Sequence, residues 1–276
     1  MDRSSSIGIV IALGGILTGL MLDGGNVGQI MQPTAALIVC GGTLGAVMLQ
    51  FPMEVVMRGA QQFKTIFFHK SEDMQAVIGR LVEFAAKARK EGIVALDKDL
   101  ESIQQPFLRK TIMLAVDGMQ PEELRQNMEI EMGYQTEEAQ KVIQVFDAAG
   151  GYSPTIGIIG AILGLIQVMQ HLDQINEVGR GIAVAFVATV YGVAFANLIF
   201  LPMAGKLRLR RRELDLQQEV MLEGVVAILG GINPRMLESR LTGYLACTLE
   251  GKGKSKAKAE SEAEAAPAGQ PEAAHS

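Results

Sequence analysis

Six uncharged polar residues, Ser153, Thr155, Gln167, Thr189, Tyr191 and Asn197, sit in or beside the third and fourth of four long apolar runs. Their hydroxyl and amide groups have the chemistry to line the path of a small cation. Each is equally suited to an interhelical hydrogen bond and nothing more. The chemistry that is missing says more. A proton or cation relay through a bilayer works through an ionisable group held inside it, because that group must bind and release the ion. The runs Ile7 to Leu22, Thr34 to Phe51, Pro154 to Leu172 and Ile182 to Leu201 contain no Asp, Glu, Lys or Arg. If this chain conducts ions, the titrating carboxylate comes from a partner helix.

Other chemistries are excluded more quickly. There is no G-x-x-x-x-G-K-[ST] loop, no G-x-S-x-G elbow and no H-E-x-x-H, so an enzyme is not expected and no cofactor is called for. Gly41-Gly42-Thr43-Leu44-Gly45 is phosphate-loop-like in composition, but it lies mid-run with no following Lys, which suits helix packing. Cys40 and Cys247 offer neither a disulfide framework nor a thiolate metal site, and His69, His171 and His275 are far apart in sequence. A formal charge of -5 with mixed signs and no basic stripe argues against nucleic acid.

The elements that must position these residues are membrane spans. The mean hydropathy is +0.23, 49% of residues are hydrophobic, and the charges are clustered between the apolar runs rather than interspersed. Each run is close to the roughly 17–25 residues that cross a bilayer as helix. Ile7 to Leu22 is the shortest. It follows Met1-Asp2-Arg3, which has no net positive charge, and ends at Asp23-Gly24-Gly25 without a small-residue cleavage pattern, so it reads as an uncleaved anchor rather than a signal peptide. Basic residues concentrate in Pro52 to Gly151 and after Pro202, which puts both termini and the middle segment in the cytoplasm. The block Lys206 to Arg212 reads as a stop-transfer and lipid-headgroup anchor.

The expected fold is all-α and polytopic, with four transmembrane helices, a helical cytoplasmic domain between the second and third, and a C-terminal cytoplasmic helix. Residues 1–51 hold the N-terminus and two spans, 52–151 the cytoplasmic domain, 152–203 the other two spans, 204–250 the C-terminal segment and 251–276 a disordered Lys/Ala/Glu/Pro tail. Apolar spacing predicts helices over Met74 to Glu91, Leu108 to Met119, Pro121 to Ala149 and Glu213 to Leu229. Pro154 and Pro202 bracket the polar pair of spans. They read either as a helix start and a helix stop or as hinges. Small residues recur at helical spacing, as in Gly157, Gly160, Gly164 and Gly181, Ala185, Ala188, Gly192, and fit close packing or a narrow pore.

Gly41 to Ala46 with Phe51-Pro52, then Tyr152-Ser153-Pro154-Thr155-Ile156-Gly157-Ile158-Ile159-Gly160, Tyr191-Gly192 with Ala196-Asn197, and Glu223-Gly224 through Asn233-Pro234 together resemble the MotA/PomA/MotC family of flagellar stator subunits. That family lies within the MotA/TolQ/ExbB proton channel superfamily. The resemblance runs from about Ile7 to Leu245. It implies a homo-oligomeric ring in the bacterial inner membrane around the single spans of a MotB-like, peptidoglycan-binding partner, whose aspartate binds the ion. It also implies a rotor partner, FliG, engaged by a charged stretch that here contains Arg89, Lys90 and Asp97, the last in place of the more usual Glu. By the same resemblance Pro154 and Pro202 are the functional prolines, Thr155 belongs to the ion pathway, and Thr189 and Tyr191 face the pore. Sodium-type relatives carry Thr where Ala161 stands, so the expected coupling ion is the proton, with Thr189 still able to supply part of a sodium shell. The competing expectations are an ExbB/TolQ-like energiser of an outer-membrane process and a non-conducting membrane scaffold.

Overall fold

A computed structural model describes residues 3–68 and 74–243. His69, Cys247, His275 and the tail from Gly251 lie outside the described residues. Among those described, all regular structure is helical: α1 (Arg3–Leu22), the short α2 (Val27–Ile30), α3 (Pro33–Gln50), α4 (Met53–Phe68), α5 (Met74–Glu91), a 3-10 segment (Ile93–Ser102), α6 (Pro106–Val116), α7 (Pro121–Gln170), α8 (Ile175–Ala194), a π segment (Phe195–Phe200), α9 (Leu201–Leu229) and α10 (residues 234–243). Prolines at the first turns of α3 and α6 mark helix starts whose N–H groups have no intrahelical partner anyway. The described residues divide into two compact units, residues 3–68 with 132–215, and residues 74–131 with 216–243.

The first unit carries the apolar helices. Among the described residues three helices are long and apolar enough to cross a membrane: α3, α7 and the helix running from Ile175 to Leu229; the apolar part of α1, Ile7–Leu22, is shorter. Their outward faces are apolar, with Val10 70%, Leu37 75%, Leu49 91% and Phe186 71% exposed. Water would penalise such a surface, whereas lipid or another subunit would accept it. Inward, α3 buries one side chain per turn, Ala35, Val39, Thr43 and Val47, and Ala35 and Val39 pack on Val187 and Ala188 of α8.

At the other end of this unit, Val142, Ile143 and Phe146 of α7 form a core with Met203, Ala204 and Leu207 of α9. Arg208 donates to Asp147 at 2.6 Å, and Arg211 pairs with Asp215, which also accepts from Thr136 at 2.9 Å. Part of the basic block read as a headgroup anchor is thus engaged by acids of the protein itself, while Arg212 stays exposed. Arg58 of α4 reaches Glu138 of α7 at 2.8 Å. The Lys141 ammonium, hydrogen-bonded to Glu138, holds that carboxyl below the usual carboxylate range, with Arg58 adding to the effect.

The second unit is an ordinary apolar core. Leu81, Leu96, Leu108, Ile112, Leu124, Met128, Leu222, Leu237 and Leu241 are almost completely enclosed. A methyl at Gly224 would stand 2.7 Å from Leu81 Cδ1, so the glycine lets α9 lie directly on α5. Beside it Glu223 accepts from Arg125 of α7 at 2.6 Å and from Arg240 of α10. The Glu223 carboxylate, as hydrogen-bond acceptor, raises the pKa of the Arg125 guanidinium. One acid therefore ties three helices together.

Candidate functional site

In the first unit, α7 and α8 meet along a seam of small residues. A methyl at Gly157 would lie 2.9 Å from the Ala188 carbonyl oxygen, one at Gly164 would lie 2.8 Å from the Gly181 carbonyl oxygen, and one at Gly192 would lie 2.6 Å from the Ser153 carbonyl oxygen. These are backbone atoms, which cannot rotate away. The recurrent small residues are therefore a close-packing device between these two helices. Gly160 and Gly42 do the same toward α3 and α7, where a methyl would meet Ile38 at 3.3 Å and Ile156 at 2.7 Å respectively.

The seam settles which way α7 turns. Ser153, Gly157, Gly160, Gly164 and Val168 face inward, while Thr155, Ile158, Ile159, Ile162, Ile166 and Gln167 are exposed, with Ala161 half-buried between. Thr155 Oγ1 donates to the Tyr152 carbonyl at 2.8 Å, and Thr189 Oγ1 donates to the Ala185 carbonyl at 3.3 Å. Both hydroxyls satisfy their hydrogens within their own helix and keep oxygen lone pairs free. Asn197, in the π segment, donates to the Val193 carbonyl at 2.9 Å.

Tyr191 is differently placed. Its hydroxyl donates to the Ile30 carbonyl at 2.5 Å, its oxygen lies 3.4 Å from the Gln32 N–H, and its ring lies 5.9 Å from that of Phe195. The phenol clamps α8 to the turn before α3. Its oxygen is occupied by that clamp.

Pro154 starts no helix and Pro202 stops none. Pro154 lies inside α7, which runs unbroken through the expected boundary at residue 151, and Pro202 is the second residue of α9, immediately after the π segment. Of the two readings of these prolines, start-and-stop gives way to prolines within continuous helix. Each withholds an N–H: Pro154 gives none to the Gly150 carbonyl one turn earlier. At Pro202 the helix is already wound wide, the Leu201 N–H reaching back five residues to the Ala196 carbonyl.

The charged stretch belongs to the second unit. Arg89 and Lys90 occupy the last turn of α5, where cations complement the helix dipole, and both are exposed. The chain then turns at Gly92, whose φ of 87° is a left-handed conformation that side chains with Cβ resist. Leu96, 1% exposed, anchors the 3-10 segment in the core, and Lys87 fastens it by a 2.6 Å bond to Asp99. That leaves Asp97 outward, adjacent in the chain to the buried Leu96. Among the described residues Arg89, Lys90 and Asp97 form no ion pair. Beside this surface a cavity of about 380 Å³ is lined by Arg80, Glu83, Phe84, Lys87, Asp99, Ser102 and Ile103.

Sequence reasoning did not single out Thr43, which is buried with its hydroxyl unpartnered, or the Glu223 link to Arg125 and Arg240. Thr43 was legible only as part of a glycine-rich run, and the Glu223 partners lie far off in the chain.

Known proteins share this sequence and fold. Residues 6–92 match the motility protein A N-terminal family and residues 99–219 the MotA/TolQ/ExbB proton channel family. Motility protein A of Bacillus subtilis is 34% identical over 249 residues, 89% of this chain and 91% of the relative. The structure of Campylobacter jejuni MotAB matches with a TM-score of 0.84 at 32% identity, covering 88% of this chain and 96% of that one. The flagellar MotAB stator complex from Bacillus subtilis matches with a TM-score of 0.83 at 33% identity, covering 91% and 99%.

Proposed function

Because the chain belongs to the motility protein A branch of the MotA/TolQ/ExbB proton channel family, we propose that it is the wall-forming subunit of a flagellar stator, a membrane ion channel that turns ion flow into torque. The observation that carries this reading is the combination of close-packed apolar helices with the lack of any Asp, Glu, Lys or Arg in the four apolar runs. Such a wall conducts only when another chain brings the carboxylate. The two similar solved structures are MotAB complexes, which supports a MotB-like partner and an oligomeric assembly. The match of residues 6–92 to the motility N-terminal family favours this reading over an outer-membrane energiser.

In this reading Ile7–Leu22 is the first of four spans in the bacterial inner membrane, both termini are cytoplasmic, and residues 52–151 form the rotor-facing domain. Deleting the gene is expected to leave assembled flagella that do not turn in a cell with no other stator. A deletion strain that swims normally would refute the proposal.

Arg89, Lys90 and Asp97 contact the rotor protein FliG. Support comes from their exposure and their freedom from internal ion pairs, which makes them available for a contact that is formed and released repeatedly. Arg89→Glu or Asp97→Arg should lower torque severalfold at high load while the protein accumulates normally in the membrane. Torque equal to the unsubstituted protein at both low and high load would remove these residues from the contact.

The coupling ion is the proton. Sodium needs several oxygen ligands, and Ala161 offers none at the position where sodium-type relatives carry Thr. Swimming speed at fixed pH should not change with external sodium. A speed that rises steeply with sodium would reverse the assignment.

A further inference from the structure

Among the described residues two hydroxyls in the apolar part of the first unit are buried with no hydrogen-bond partner: Ser153 Oγ, on a residue with 0% exposure, and Thr43 Oγ1, on a residue with 3% exposure. A buried hydroxyl left unpaired costs about 1–3 kcal/mol, and a serine or threonine in a helix ordinarily avoids the cost by bonding back to the preceding turn. Thr155 and Thr189 do so, within a few residues of Ser153 in sequence or on the adjoining helix. Ser153 and Thr43 do not.

The two come to one region from different helices. Thr43 is the third of the four side chains that α3 buries at one-turn spacing, in line with Ala35 and Val39, which pack on α8. Its chain neighbour Gly42 abuts Ile156, one turn beyond Ser153 on α7, and the Ser153 backbone abuts Gly192 of α8. Three residues before Ser153 on α7 is a carbonyl released from its usual donor. Gly150 is itself buried, and the residue one turn on that would give it an N–H is Pro154. Two hydroxyls able to donate and accept, and one carbonyl deprived of its usual donor, thus lie on the surfaces by which α3, α7 and α8 pack, just before α8 changes to π winding at Phe195.

We propose that Ser153, Thr43 and the Gly150 carbonyl bind ordered water at this three-helix junction. A water supplies the donor that Pro154 withholds from the carbonyl and the acceptors that the hydroxyls need. Being exchangeable, such a water lets α7 and α8 shift by part of a turn without stranding a polar group. That mechanical consequence rests on the stator reading; the water site itself does not.

Infrared spectroscopy of the full chain, co-purified with its single-span partner in nanodiscs, tests the site. An O–H stretching band of strongly bound water, shifted by H2-18O, is expected in the unsubstituted protein, weakened in Ser153→Ala and in the isosteric Thr43→Val, and retained in Thr43→Ser. Thermal unfolding gives the independent reading. If the hydroxyls are simply unsatisfied, removing them relieves a cost and raises the midpoint in both Ser153→Ala and Thr43→Val. If they hold water, the midpoint stays level or falls. An unchanged water band in both variants, or a raised midpoint in both, overturns the proposal, whether or not the motor still turns.

Discussion

Replacing Gly192 with valine is expected to abolish torque and sharply reduce the amount of folded protein in the membrane. The reason is geometric. Even a methyl at this position would stand 2.6 Å from the Ser153 carbonyl oxygen, 3.0 Å from Gly157 Cα and 3.2 Å from Pro154 Cα. All three obstacles are backbone, so relief requires separating α7 from α8. Overpacking that must be relieved by backbone shifts costs typically 1–3 kcal/mol in a soluble core, and here the shift would propagate along the seam through Gly157, Gly164 and Gly181. Alanine at 192 should produce the same defect in milder form.

Gly205 of α9 is the control: nothing lies within 4 Å of a methyl there, and glycine to alanine in open helix is worth about 1 kcal/mol in favour of alanine. Immunoblots of membrane fractions alongside tethered-cell rotation separate loss of folding from loss of torque. Gly192→Val protein that accumulates and drives rotation normally would show that the seam tolerates separation, and the close-packing account would fail.

The seam also shows what the sequence could and could not deliver. Small residues at three-and-four spacing were visible in the sequence, because helical periodicity is a property of local order. Which helix they faced was not visible, since nothing local distinguishes a glycine that meets a carbonyl from one that meets lipid: Gly41 and Gly45 share the spacing, yet a methyl on either meets nothing within 4 Å. The helices outside the apolar runs were legible for the same local reasons. The start of α7 at Pro121 with two acids in its first turn, and the end of α9 at Leu229 before two glycines, fall where proline, charge and glycine chemistry put them.

Three features were illegible. Proline ordinarily ends or kinks a helix, so the continuity of α7 through Pro154 runs against the local signal. It becomes explicable once Gly192 and Gly157 let α8 pack directly against the backbone around Pro154. A 3-10 segment of ten residues is longer than its own hydrogen bonding favours; the buried Leu96 and the Lys87–Asp99 bond hold it. Tyr191, for which the family resemblance implies a pore-facing position, gives its hydroxyl to a carbonyl 161 residues away. Contacts of that range are set by packing, and no local pattern announces them.

The second large effect concerns the missing acid. The chain produced without a MotB-like partner is expected to pass no protons above the leak of the lipid, although its apolar helices insert and associate. An ion crossing a wall of hydroxyls and carbonyls must be stripped of water in a low-dielectric layer, at a cost that neutral oxygens recover only in part. Thr155 and Thr189 already give their hydrogens to Tyr152 and Ala185, so they offer lone pairs and no transferable proton of their own. Flux should appear when a partner helix bearing an intramembrane carboxylate is co-reconstituted, and should return to the lipid background when that carboxylate is replaced by its amide, which keeps shape and loses titration. Flux in proteoliposomes under an imposed pH gradient reads this directly. Proton flux from the chain alone, blocked by no partner substitution, would mean that the apolar runs conduct by a route needing no ionisable group, and the division of labour between the two chains would have to be abandoned.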